Sequence, residues 1–129
     1  MNNDVNKQFS VEKRLKSVNH AWRGLSLFFK TTHNAWVHLF VLFFVVCAGF
    51  YFNISQIEWL AIVLVSGMVF TAEAFNTAIE IDINLTSPDF HPHARDTKDV
   101  AAGAVLVSAI TAIVVGVVIF CPYVCTIFW

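Results

Sequence analysis

The stretch Ala72-Glu73-Ala74-Phe75-Asn76-Thr77-Ala78-Ile79-Glu80 closes a long apolar run, residues 59–70, and sets two carboxylates and an amide inside what otherwise reads as a membrane helix. Glu73, Asn76 and Glu80 stand at i, i+3 and i+7, a spacing that puts all three on one helix face. An acid inside a membrane span costs roughly 2.5–3.5 kcal/mol on the insertion scale, so an intramembrane carboxylate marks a functional site by default. The remainder of the chain is best read outward from this face.

Composition sets the solvent. Hydrophobic residues make up 57% of the 129 positions and charged residues only 13%, about half the usual charged share of a soluble protein. A chain this small has too much surface to leave so few charges in water, so we expect a single-domain (1–129), all-α membrane protein. The formal net charge of −1 hides an asymmetry: the 8 basic residues fall at Lys7, Lys13, Arg14, Lys16, Arg23, Lys30, Arg95 and Lys98. The N-terminal residues are polar and basic, without the apolar core of a cleavable signal. The 3 cysteines, Cys47, Cys121 and Cys125, lie in or beside apolar runs at spacings that match no zinc or haem pattern. They are expected to be packing or lipid-facing residues.

Residues 10–30 carry Val11, Leu15, Val18, Trp22, Leu25 and Phe29 at alternating steps of four and three, with Lys13, Lys16 and Arg23 opposite. That pattern predicts a basic amphipathic helix lying in the membrane interface, with Ser10 as N-cap. Residues 35–52 are apolar except for His38 and just span a hydrocarbon core of about 30 Å at about 1.5 Å per residue. A second span is predicted over 57–80 and a third over 99–120, where Pro122 is expected to end it. Residues 82–97, with Pro88 and Pro92, read as the one sizeable loop. Because the N-terminal segment through Lys30 and residues 82–98 hold every basic residue, both are placed on the cytoplasmic side with the N-terminus. Glu73 to Glu80 then lies at the cytoplasmic end of the second span, open to solutes and to lipid alike.

On this face Glu73 and Glu80 have the chemistry of a general base and a metal ligand. A carboxylate in a dry site is a stronger base than in water, and Mg²⁺ takes one or two carboxylates while phosphates and water fill its other positions. Asn76 can donate to a phosphate or orient a carboxylate. Lys98 can offset phosphate charge, and Asp99, opening the third span, reads as a cap or a ligand. No Walker loop and no protein-kinase motif set is present.

The stretches Glu-Ala-Phe-Asn-Thr-Ala-Ile-Glu (73–80) and Lys-Asp-Val-Ala-Ala-Gly-Ala-Val-Leu (98–106) resemble the signature of the small bacterial diacylglycerol kinases and their undecaprenol-kinase relatives. The likeness extends from His20-Ala-Trp-Arg-Gly through His33-Asn34 and His38 to Phe120-Cys-Pro. It implies a homotrimer in the bacterial cytoplasmic (inner) membrane, each subunit with a surface helix and three spans. It also implies transfer of the γ-phosphoryl group of Mg·ATP to a lipid hydroxyl, either diacylglycerol or undecaprenol. By the same resemblance Glu73 is the general base, Asn76 an active-site amide and Glu80 a Mg²⁺ ligand. Lys13, His20, Glu80, His91, Lys98 and Asp99 would contact nucleotide, and Ala102 would lie on the lipid side. No nucleic-acid partner is expected.

Two positions depart from the family pattern. Thr32 stands where a second Mg²⁺-binding glutamate is usual, and Asn84 where an aspartate is usual. An alternative is therefore a catalytically impaired or non-catalytic member that binds nucleotide or a partner. A small proton-coupled exporter is a further rival, which a count of three rather than four spans disfavours.

The small residues Ala104, Ser108, Ala112 and Gly116 recur every fourth position of the third span, a stripe that lets helices approach closely. It is expected to serve packing within the subunit and between subunits, so crosslinking in bilayers should trap oligomers. A purely monomeric pattern would remove the second role.

Overall fold

The protein, seen in a computed structural model that describes residues 11–128, with side chains through Thr126, is built from helices alone among the described residues. They are α1 (Val11–Thr31), α2 (His33–Phe52), α3 (Gln56–Thr86) and α4 (Pro92–Phe128). Three of them, α2, α3 and α4, are long and apolar enough to cross a membrane. The proposed cap at Ser10 lies outside the described residues.

Each break in the chain has a local cause. Between α1 and α2, Thr32 turns extended (φ −100°, ψ 103°) while its N–H still donates to Phe28 O at 2.9 Å. Trp36 reaches back so that its Nε1–H caps Phe29 O at 2.8 Å, satisfying one of the carbonyls that a helix end leaves open. Between α2 and α3, Asn53 adopts the left-handed conformation (φ 50°) that asparagine tolerates. Ile54 N–H then returns to Gly49 O at 3.1 Å. Ser55 and Glu58 follow with a reciprocal capping box that starts α3.

The other two boundaries differ from expectation. Helix α3 continues past residue 80 to Thr86, and α4 starts at Pro92 rather than 99, so the expected 82–97 loop shrinks to residues 87–91. Proline suits the first helical position because the N–H it lacks would have had no partner there. Asp99 is therefore well inside α4 and caps nothing. Pro122 does not end α4 either. It removes one backbone donor, a loss that membrane helices tolerate, and the helix runs on to Phe128.

Helices α3 and α4 form an antiparallel pair. On α3 the inward positions 62, 66, 69, 73 and 76 alternate in steps of four and three, as do 94, 98, 101, 105, 108, 112, 115 and 119 on α4. That is the seam of a left-handed coiled coil. Ala94, Ala101, Ser108 and Ala112 keep the α4 side thin, which brings the axes close. Ser108 is buried while Ala104 is exposed, so the small-residue stripe is only partly spent within the subunit. At the outer end Ile54, Ile62 and Ile119 form a core backed by Trp59, Phe52 and Tyr123.

Most large side chains point away from this seam, among them Phe40, Phe43, Leu64, Val107 and Val118. In water such a surface would not stay monodisperse, whereas lipid solvates it. The apolar face of α1 is likewise bare: Val11, Leu15, Val18 and Trp22 are each more than half exposed. A helix with an uncovered apolar face and a basic opposite face is suited to the interface plane.

The α2–α3 hairpin is tightest at Gly49. A Cβ there would lie 2.7 Å from Trp59 Cη2 and 3.2 Å from Ile54 Cδ1, both part of the outer core. Gly24, on exposed α1, has open space around the same position. Gly49→Ala should therefore destabilise the folded protein by about 1–3 kcal/mol through overpacking. Gly24→Ala should be neutral or stabilising by up to about 1 kcal/mol, from helix propensity. Denaturation of both variants in detergent micelles compares them directly, and equal stabilities would remove the close-packing role of Gly49.

Candidate active site

The inward stripe of α3 changes character along its length. Ile62 and Val69 are buried at the outer and middle levels, then Glu73 and Asn76 take the next seam positions. Glu73 is 1% exposed and is the largest fully buried side chain among the described residues. Its Oε1 lies 3.1 Å from His38 Nε2 on α2, and its Oε2 has no partner. Were the carboxylate ionised, and so accepting only, Nε2 would be the donor in this pair. Phe70, one turn back on α3, meets the His38 ring edge-on at 6.5 Å.

Asn76 is 9% exposed; its Nδ2 donates to Glu80 Oε1 at 3.0 Å, while its Oδ1 is buried without a partner. Glu80, one turn on, is exposed. Thr77, beside this face, donates its hydroxyl to Glu73 O at 2.9 Å. Its oxygen also lies 2.7 Å from Thr32 Oγ1, so Thr32 is the donor in that contact and keeps its own lone pairs free. Asn84 extends the stripe by a further turn and accepts a hydrogen bond from Lys98 Nζ at 2.7 Å. At the other end Tyr123 OH donates to Glu58 Oε2 at 2.9 Å. These two pairs fix the register of α3 against α4 and put Ser108 at the level of Glu73.

The result is a polar stripe on α3 that runs from the buried Glu73 and Asn76 to the exposed Glu80 and Asn84. Two buried acceptors, Glu73 Oε2 and Asn76 Oδ1, lack donors, and each unsatisfied buried polar group costs about 1–3 kcal/mol, more when charged. Atoms of this kind await a hydroxyl, a water or a cation. Beside this stripe, Leu25, Phe28, Phe29, Phe70, Ala74 and Phe75 line an apolar groove of 410 Å³ between α1 and α3. Its chemistry matches a hydrocarbon chain.

Among the described residues no group of three or more His, Cys, Asp or Glu side chains converges as a metal cage. Glu80 and Asn76 Oδ1 on one face of α3, and Thr32 Oγ1 against Thr77, are nevertheless hard oxygen donors. Mg²⁺ delivered with a nucleotide needs few protein ligands, since phosphate oxygens and water complete its shell. The residues present fit such an ion, with Glu80 as the one charged ligand.

The other residues singled out from the sequence are dispersed. Lys98 stands at the exposed end of the stripe, against Asn84. Asp99 instead faces Arg95, Oδ2 to Nε at 3.6 Å, on the exposed side of α4. His91 is the last residue of the 87–91 connection and stacks near His93 at 5.5 Å. Lys13 and His20 sit on exposed α1, and Ala102 is exposed on α4. The sequence reading assigned no role to His38 or Thr77, although a lone imidazole in the apolar 35–52 segment was the available signal for the former.

The family model described as prokaryotic diacylglycerol kinase matches residues 19–120. A protein named undecaprenol kinase from Bacillus subtilis (strain 168) is 38% identical over 120 residues, covering 93% of each chain. One named diacylglycerol kinase from Synechocystis sp. is 37% identical over 109 residues, 84% of this chain and 62% of that protein. A family match across most of the chain, joined to three membrane-length helices and an acidic seam at one end of them, leaves one assignment. The chain belongs to the prokaryotic diacylglycerol kinase family and is a membrane lipid kinase.

Proposed function

We propose that the protein transfers the γ-phosphoryl group of ATP to the hydroxyl of a membrane lipid at the cytoplasmic interface, with Glu73 as the general base. The observation that carries this reading is the buried Glu73 carboxylate, one oxygen held by His38 and the other without a partner. The lipid hydroxyl gives its proton to Oε2 as its oxygen bonds to the γ-phosphorus. The bond from that phosphorus to the β-bridging oxygen breaks, and ADP leaves with the electron pair. Asn76 donates to Glu80 and holds that carboxylate at the exposed end of the stripe. Lys98 offsets phosphate charge, in keeping with a reaction in which positioning and electrostatics do most of the work. Mg²⁺ bound with the nucleotide neutralises charge across the phosphate oxygens. Glu80, Thr32 and Asn76 are the residues that would hold it. Lys13, His20, His91 and Asp99 are assigned to the nucleotide only by family position.

The proposed acceptor is undecaprenol rather than diacylglycerol. The support is the 93% mutual coverage with the protein named undecaprenol kinase, against 62% of the length of the one named diacylglycerol kinase. The apolar groove beside Ala74 suits either chain. We further propose a homotrimer in the bacterial cytoplasmic membrane with its N-terminus inside; the basic residues of α1 and of 95–98 support that orientation. Both relatives are named as kinases, so the catalytically impaired alternative is not favoured. Three candidate spans rather than four count against the exporter.

ATP-dependent labelling of each lipid in mixed micelles tests the reaction and its acceptor. Glu73→Gln keeps the volume and removes the base, so labelling should fall by about 10²- to 10⁴-fold. Undiminished labelling by that variant would sink the role of Glu73. A Mg²⁺ titration addresses the metal. Thr32→Glu would bring a second carboxylate beside Thr77, one turn before Glu80. It should lower the Mg²⁺ concentration needed for half-maximal rate, whereas an unchanged requirement would place the metal away from Thr32.

A further inference from the structure

We propose that His38 is a positioning residue for the phosphoryl transfer, fixing the Glu73 carboxylate by donating Nε2–H to Oε1 so that Oε2 is always the oxygen offered to the acceptor hydroxyl. The inference rests on the reading of Glu73 as base. The terminal torsion of a glutamate is broad and nearly two-fold, so an unheld carboxylate would sample many orientations. Glu73 has one side-chain partner, the His38 ring at 3.1 Å, and no donor at Oε2.

The ring is itself held. Phe70 packs against it edge-on at 6.5 Å, and Ala35, at the preceding turn of α2, is fully buried. The two side chains also differ in access: Glu73 is 1% exposed, whereas the His38 side chain is 25% exposed. His38 thus meets the carboxylate from the open side of the α2–α3 contact and leaves the unpartnered oxygen to the interior of the seam. A histidine kept for packing alone would be poorly chosen, because an apolar side chain fills the same space without a polar ring to satisfy. The apolar run of residues 35–52 supplies such side chains everywhere else.

The test compares His38→Phe, which keeps the ring shape without the donor, with His38→Gln, whose amide nitrogen reaches the place of Nε2. His38→Met replaces the Phe variant should the larger ring not fold. Initial rates are measured in mixed micelles across ATP and lipid concentrations, with Glu73→Gln alongside. We expect the non-donor variant to lose about 10- to 100-fold in kcat with the KM for ATP unchanged, as a misplaced catalytic group does. The Gln variant should recover most of that loss. Equal losses in the donor and non-donor variants, or a wild-type kcat in the non-donor while Glu73→Gln is inactive, would overturn the proposal and leave the base assignment standing. An active Glu73→Gln would instead remove the base assignment and the role of His38 with it.

Discussion

A carboxylate sealed between membrane helices is the constraint on which the rest of this structure turns. Glu73 occupies a seam position that an apolar residue would fill at lower cost, and it is 1% exposed there with one oxygen unpartnered. Burying a charge without full compensation costs several kcal/mol. Something must hold the seam closed against that cost. The thin face of α4, with Ala101 and Ser108 buried, supplies close helix contact, and His38 supplies the one hydrogen bond.

The two ends of the α3–α4 pair divide the work. At the outer end Glu58 accepts from Ser55 N–H and from Tyr123 OH, so one carboxylate both starts α3 and ties it to α4. The isoleucine core and the Gly49–Trp59 contact lie beside this tie. At the inner end the only hydrogen bond between α3 and α4 among the described residues is Lys98 to Asn84, and the surroundings are exposed. The apolar packing thus lies far from the chemistry, while the chemical end stays exposed. Stability and function occupy opposite ends of the same two helices, which is how a small membrane protein can carry strained polar groups without losing its fold.

Much of this was legible in the sequence, and the misses share a cause. The i, i+3, i+7 spacing of Glu73, Asn76 and Glu80 survives intact because it depends only on α3 being a helix. The apolar runs located three spans. They mislocated the ends of α3 and α4 because hydropathy registers the slab of lipid, not the helix, and both helices continue into polar surroundings as far as Thr86 and back to Pro92. Asp99 was placed at a helix start for that reason alone. The pairing of His38 with Glu73 was out of reach, since it depends on the register between two helices. That register is set by a left-handed Asn53 and the Ser55–Glu58 box, neither of which announces what lies level with what one helix length away.

The same geometry changes the meaning of the two departures from the family pattern. Thr32 and Asn84 each put a neutral oxygen where the resembled family carries an acid, and taken singly each looks like a loss. Their neighbours show that they act on different partners. Thr32 touches Thr77, one turn before Glu80, so in the proposed site its neutrality would weaken the hold on a cation. Asn84 meets Lys98 through a neutral amide oxygen at 2.7 Å, where an aspartate would form an ion pair and cancel the ammonium charge. With asparagine there, the full positive charge of Lys98 stays available one turn from Glu80. In the proposed reaction the phosphates are then held less by a metal clamped between two acids and more by a lysine whose charge no neighbouring carboxylate absorbs. The two substitutions compensate: less negative charge to hold the cation, and more net positive charge to hold the anion that carries it.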